Sequence, residues 1–197
     1  VKANVPSATT QLLSYLSVAQ GRQGELAGAV ETNQRLLELV PGNVAAMRNL
    51  AILARDQGKP DEAMQWVNQA LATSGQSAAD QKSLYQLAAE LYQAQGNTTE
   101  VITQYENIRQ VDPSDTAALS TLSGLYVATG NDPKVIEVEQ QLMQLEPQNY
   151  QHPLALAQAY LRQKRNPEAL AMAKQALALA PDDQKAAIQQ LVTQLGG

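Results

Sequence analysis

The chain has no cysteine and no phenylalanine, it has a single histidine, and aromatic residues make up only 4% of its 197 positions. Without thiols it can form no disulfide, no thiolate zinc or iron–sulfur site and no cysteine nucleophile. This absence leaves the redox compartment undetermined. Because phenylalanine is missing, a core has to be built mainly from alanine, leucine and the seven tyrosines.

An excess of positive charge is also missing. Fourteen Lys and Arg stand against 19 Asp and Glu, a net charge of −5, and no run of five like charges occurs. This balance argues against a surface for nucleic acid or for an anionic membrane. No stretch approaches 18 apolar residues, so we expect no membrane insertion by this segment. The chain begins with Val1, which suggests a processed chain or a fragment of a larger protein, in either a cytoplasmic or an extracytoplasmic compartment.

Turn-forming residues recur at a nearly fixed spacing. Prolines closely followed by Asn or Asp, and a series of glycines, occupy Pro41, Pro113, Pro147, Pro181, Gly24, Gly58, Gly96 and Gly130. Their basic interval is 34 residues, with four extra residues between Gly58 and Gly96. Between them, apolar residues recur every three or four positions, which is typical of one buried helix face. The sequence therefore predicts five repeats of two helices each and no strands.

Residues of restricted size recur at the same interval. A small residue marks the first helix of every repeat, at Ser17, Ala51, Ala89, Ser123 and Ala157. Aromatic and alanine columns follow at Tyr92, Tyr126, Tyr160, Ala29, Ala63 and Ala169. These columns resemble the tetratricopeptide repeat, a 34-residue helix–turn–helix unit. The resemblance implies an all-α fold, a right-handed superhelical solenoid of five such units with a C-terminal capping helix.

The resemblance also divides the chain. Residues 1–9 are expected to form an N-terminal extension. The repeat array is expected to span 10–183, with units at 10–43, 44–77, 82–115, 116–149 and 150–183. Residues 184–197 contain one more amphipathic stretch, which would cap the last hydrophobic face of the array.

The four extra residues fall at about 78–81. Ser77, followed by Asp80, has the pattern of a helix start with a capping hydroxyl. Four residues make about one helical turn. The sequence therefore predicts that the first helix of the third unit runs from about 78 to 95, one turn longer than its equivalents, with a longer loop as the alternative.

Residues for catalysis or metal binding are sparse. His152 precedes Pro153 at a turn between repeats, where we expect a surface or capping role. One histidine without cysteine cannot build a three-ligand zinc site unless carboxylates supply the rest, and no such cluster is visible. Acidic pairs such as Asp61 and Glu62 mark helix starts, where negative charge favours the helix dipole. We predict no enzymatic activity, no cofactor and no metal.

Members of the tetratricopeptide family are, by resemblance, protein-interaction scaffolds in which the first helices line a concave groove. That groove is expected to bind a peptide or helix of a partner protein. The residues predicted to form it are mainly amides, hydroxyls and aliphatic groups. They are Arg48, Ile52, Arg55, Gln86, Glu90, Gln93, Ser120, Val127, Leu154, Gln158 and Leu161, with Val18 and Asp56 beside them.

One subfamily clamps the C-terminal carboxylate of chaperone peptides with basic and Asn side chains. Ile52 stands where the Asn of that clamp would be, and Ser83 and Leu87 stand where its next basic residues would be, so we predict no carboxylate clamp. Three alternatives stay open at this point. The groove could be solvated and empty, the chain could be a self-association module, or it could be a solenoid enzyme acting on polysaccharide through Asp56 and Glu90.

Overall fold

A computed structural model describes residues 7–197, and over this range the chain forms eleven α-helices and no strand. The first six helices are α1 Ser7–Gln23, α2 Leu26–Leu39, α3 Val44–Asp56, α4 Pro60–Leu71, α5 Ala78–Ala94 and α6 Thr98–Val111. The remaining five are α7 Thr116–Ala128, α8 Asp132–Leu145, α9 Gln151–Arg162, α10 Asn166–Leu179 and α11 Asp182–Gln194. The prediction of an all-helical fold is confirmed, and the eleven helices are consistent with five pairs followed by one more helix.

Two compact units divide the chain, unit 1 ending at Val111 and unit 2 running from Asp112 to Gly197. In unit 1, α1 packs with α2, α3 with α4 and α5 with α6, and α3 also contacts α2 and α5. In unit 2, α7 packs with α8 and α9 with α10, α9 contacts α8, and α11 covers α10. Each pair lies within one predicted repeat, except that α1 and α5 begin a few residues earlier. The repeat boundaries themselves stay predictions.

The residues of the small column are buried between the packed helices. Ala51 and Ala157 are completely buried, and Ser17, Ala89 and Ser123 are nearly so. Small side chains let the two helix backbones come close, and large residues such as Leu84, Leu119 and Leu156 then fill the space around the crossings. This packing explains how a core forms with so few aromatic residues.

The turn inside each pair uses a residue with a left-handed backbone. Gly130 has φ +70°, and the equivalent position in the last pair is occupied by Lys164 at φ 60°. Glycine adopts this conformation without a steric penalty, whereas a residue with a Cβ does so less readily. The glycine interval seen in the sequence therefore reflects a conformational requirement of the turn.

Helix α5 begins where the sequence predicts it. The hydroxyl of Ser77 accepts a hydrogen bond from the backbone N–H of Asp80 at 3.1 Å, which caps the helix. With 17 residues, α5 is about one turn longer than α3 and α7, which have 13 each. The first helix of the chain, α1, is equally long, so the extra turn is not unique to α5.

Candidate functional site

Helices α3 and α5 in unit 1 are joined by two arginines. Nη1 of Arg48 donates to the hydroxyl of Ser83 at 3.2 Å, and Nη1 of Arg55 lies 2.5 Å from Oε2 of Glu90. Arg48 and Arg55 are seven residues apart, which is about two helical turns, so both project from one face of α3. Through these contacts, the faces of α3 and α5 that were predicted to line a groove lie side by side.

A cavity of about 140 Å³ lies between these two helices. Five of the eleven predicted groove residues line it, together with Ser83 and Leu87. The five are Arg48, Ile52, Arg55, Gln86 and Glu90. Gln93, one turn further along α5, is exposed and is not part of this lining.

A second cavity of about 220 Å³ lies on the other side of α3, against α1. Ile52 lines both cavities, so they adjoin at this residue. The remaining lining combines apolar and polar groups from α1, α2 and α3, namely Ser17, Val18, Gly21, Arg22, Leu26, Asn49, Leu53 and Asp56. An added Cβ at Gly21 would meet no atom within 4 Å, so the glycine widens this cavity.

The two arginines differ in their electrostatic surroundings. The guanidinium of Arg55 pairs with Asp56 at 2.9 Å as well as with Glu90, so two carboxylates offset its charge. Arg48 contacts a neutral hydroxyl, and within the described residues no carboxylate lies within ion-pair distance of it. Arg48, and Arg22 in the lining of the larger cavity, are therefore the cationic groups of the site whose charge no carboxylate contact within residues 7–197 offsets.

The predicted groove residues of unit 2 are mostly exposed. Ser120 donates its hydroxyl to the carbonyl of Thr116 at 2.7 Å, and Val127, Gln158 and Leu161 are open to solvent. Leu154 differs from these four. It is half-buried against the cluster of Ala176, Ala180 and Ile188 beneath α11, so packing already occupies its side chain. Unit 2 thus presents a polar face with isolated apolar residues.

Sequence reasoning missed several residues of the unit 1 cavities. Leu26 comes from α2, a second helix, Ser17 was assigned only to the small-residue column, and Leu53 was not singled out. Gly21 could have been predicted from the sequence, because a glycine one turn after Val18 leaves open space beside that residue. The others could not be identified without knowing how α1 and α3 lie beside each other.

His152 corrects another expectation. The sequence placed it at a surface or capping position, but it is buried, with Nδ1 2.9 Å from Oε2 of Glu139 and Nε2 3.1 Å from Oε2 of Glu146. The other oxygen of Glu139 accepts a hydrogen bond from the hydroxyl of Ser123. Hydrogen bonds from Asn149, His152 and Thr116 lower the pKa of Glu146 to about 2. The network joins α7, α8 and α9.

This network has no geometry for metal binding. The two carboxylates lie on opposite ring nitrogens of His152, so the three side chains share no common centre. Across residues 7–197, no group of three or more acidic or histidine side chains is placed to hold an ion. In the same range, none of the helices combines the length and apolar character that crossing a bilayer requires.

Comparisons with known structures show the same architecture. A crystal structure of MamA protein aligns over 91% of this chain and 94% of its own, with 20% identity and a TM-score of 0.60. The crystal structure of YrrB, described as a TPR protein with an unusual peptide-binding site, aligns over 90% of both chains with 14% identity and a TM-score of 0.59. Naa15/Naa10 bound to HypK-THB aligns over 84% of this chain but only 24% of that one, with 19% identity and a TM-score of 0.67. At these identities the likeness shows the fold alone.

Comparisons of sequence agree with the repeat interval. No curated protein matches the chain. Two family models, both described as tetratricopeptide repeat, match residues 16–80 and 154–187, which together make up about half of the chain. The chain belongs to the tetratricopeptide repeat family.

Proposed function

We propose that this protein is a non-enzymatic interaction scaffold that binds a peptide or helix of a partner protein against α1, α3 and α5. The observation that carries the proposal is the pair of adjoining cavities that share Ile52. The similarity to YrrB, whose description includes a peptide-binding site, supports it. The part of the predicted groove in unit 1 is therefore the proposed binding site.

The lining indicates how a ligand would be held. Val18, Leu26 and Ile52 give the larger cavity an apolar wall, and Arg48 and Asn49 place hydrogen-bond donors near it. About 220 Å³ is enough for one large apolar side chain. Apolar anchoring in a pocket supplies most of the affinity in such interfaces, and polar groups at the rim fix orientation. We infer that the ligand contributes one bulky apolar residue.

The charges of the site favour binding over catalysis. The carboxylates of Asp56 and Glu90 line the cavities, and both are paired with Arg55. The contacts with the Arg55 guanidinium already engage both carboxylates, so neither is positioned to exchange a proton with a substrate. A polysaccharide-degrading activity that persists unchanged in Glu90→Gln would not use this site.

Selection of peptides on the immobilised full chain tests the proposal. The affinity of each selected peptide is then measured for the wild type and for Ile52→Gln, with Ile136→Gln as the matched control. Ile136 is also half-buried, but it packs in unit 2. We expect Ile52→Gln to weaken binding about tenfold or more and Ile136→Gln to leave it unchanged. Equal affinities for all three proteins would overturn the proposed site.

A further inference from the structure

Helix α1 exposes an apolar face that is distinct from the cavity it lines. Leu12 is 68% exposed, Tyr15 72% and Leu16 48%, and Ala8 and Ala19 lie exposed on the same side. Ala8, Leu12 and Leu16, and likewise Leu12, Tyr15 and Ala19, follow one another at steps of three or four residues, so the five form one stripe along the helix. Of the seven large hydrophobic residues exposed within residues 7–197, four belong to α1.

The equivalent face of later first helices is buried. Leu50 and Leu53, which lie 34 residues beyond Leu16 and Ala19, are 3% and 7% exposed on α3, which packs against α2. On α9, which packs against α8, Leu156 and Ala159 are fully or almost fully buried. The stripe on α1 therefore corresponds to a face that helix packing buries in later repeats.

Charge restricts what that helix can be. No charged residue lies between Lys2 and Arg22, whereas the whole chain carries a net charge of −5. Two copies that meet at α1 therefore bring no like charges together, although each copy carries a net charge of −5. The far end of the chain offers no matching apolar surface, because α11 exposes Lys185, Gln189 and Thr193.

We propose that two copies of this chain associate through α1, packed antiparallel about a two-fold axis near Tyr15 and Leu16. In this arrangement Tyr15 of one copy faces Leu16 of the other, and Leu12 faces the small Ala19. The antiparallel orientation also places each helix end beside the oppositely polarised end of its partner. The interface is isologous, with the same stripe contributed by both copies.

The area of the stripe sets the strength of the dimer. Its three large side chains expose roughly 350 Å² per copy, so a pair can bury at most about 700 Å² of their surface. Flanking residues bring this toward the ~1,000 Å² at which specific interfaces begin. The dimer is accordingly weak and reversible, and it leaves the cavities around Ile52 accessible.

Sedimentation equilibrium of the full chain over a wide concentration range tests the dimer. We expect the average mass to rise toward twice the monomer mass. The double variant Leu12→Glu/Tyr15→Glu should raise the dissociation constant at least about tenfold, while Val127→Glu/Leu145→Glu adds the same charge at exposed sites elsewhere and should not. Circular dichroism verifies that both variants are folded. A chain that stays monomeric throughout, or a dimer equally sensitive to both variants, would overturn the proposal.

The absence of cysteine allows a second, geometric test. A single cysteine placed at Leu16 or at Val127 is the only thiol in its chain, and a short bismaleimide links two such thiols only when they are close. We expect Leu16→Cys to yield a covalent dimer at concentrations where Val127→Cys stays monomeric. Similar cross-linking at both positions would contradict association through α1.

Discussion

Nδ1 of His152 lies 2.9 Å from Oε2 of Glu139, and both side chains are buried. Glu139 on α8 also accepts a hydrogen bond from Ser123 on α7. Its two oxygens therefore connect three consecutive helices of unit 2. Buried polar groups stabilise a core only when all of them have partners, so this carboxylate is expected to be sensitive to substitution.

Glu139→Ala should reduce the free energy of unfolding by about 2 to 4 kcal/mol, because it leaves the hydroxyl of Ser123 and Nδ1 of His152 buried without their partner. Urea denaturation followed by circular dichroism measures the loss. Glu137→Ala on the exposed side of the same helix removes a surface pair with Lys134 and should cost less than about 1 kcal/mol. Equal losses for the two variants would mean that the buried network contributes nothing specific.

The pH dependence of stability should carry a contribution from Glu146. Its pKa is lowered from 4.5 to about 2 in the folded chain, chiefly by hydrogen bonds from Asn149 and His152. A carboxyl whose pKa falls on folding stabilises the fold above its unfolded pKa, and that contribution is lost as pH falls from about 4.5 toward about 2. Glu146→Gln cannot lose a charge in this window.

Thermal unfolding between about pH 6 and pH 2.5 measures this contribution. We expect the melting temperature of Glu146→Gln to fall less steeply than that of the wild type below pH 4.5. Glu62→Gln, at an exposed pair with Lys59, controls for the loss of one negative charge. Parallel curves for wild type and Glu146→Gln would refute the assigned role of this carboxyl.

Unit 1 has a neutral counterpart of the buried network. Asn33 on α2 donates from Nδ2 to the hydroxyl of Ser17 and, at 2.8 Å, to the carbonyl of Ala29. In the next repeat, the pair at the same sixteen-residue separation is Ala51 and Val67, both fully buried. A hydrogen-bonded pair and an apolar pair thus occupy the same packing position in two neighbouring repeats.

Exchanging one pair for the other should show coupling. Ser17→Ala and Asn33→Val should each destabilise the chain, since each strands a buried polar partner, whereas the double substitution should recover about 1 kcal/mol relative to their sum. Urea denaturation of the four proteins closes the cycle. If the two free-energy changes simply add, the hydrogen bond between the two side chains contributes nothing to stability.

Leu154 should act as a packing residue. Leu154→Ala removes contacts with the cluster around Ile188 and should cost about 1 to 2 kcal/mol, with faster amide exchange in α11. Gln158→Ala, one turn further along the exposed face, should change stability by less than about 0.5 kcal/mol. If amide hydrogen exchange in α11 is unchanged after Leu154→Ala, Leu154 does not act as a packing residue and is again predicted to contact a ligand.

Local signals in the sequence predicted the helices well. Ser77 and Asp80 indicated the start of α5, and the structure has that helix at Ala78–Ala94. The 34-residue interval between Gly96 and Gly130 predicted a turn at each glycine, and both glycines have a positive φ in the structure. Such features depend on a few neighbouring residues, which a single sequence contains in full.

Contacts across helices were harder to predict. His152 was expected at the surface because it precedes a proline at a turn. Its burial depends on how α9 packs against α8, which contains Glu139 and ends next to Glu146. Ile52 was assigned to the groove, yet its place between two cavities depends on the approach of α1 and α5 to α3. Such pairings involve residues tens of positions apart, and periodicity alone does not specify them.

The measurement that tests the proposed binding site most directly is a methyl spectrum of the chain labelled at isoleucine. The sequence has five isoleucines, and of these Ile52 lines both cavities whereas Ile136 and Ile188 pack in unit 2. On titration with a selected peptide, we predict that the Ile52 methyl signal shifts and that the signals of Ile136 and Ile188 do not. A peptide that binds while shifting the methyl of Ile136 or Ile188 and leaving Ile52 unchanged would contradict the account.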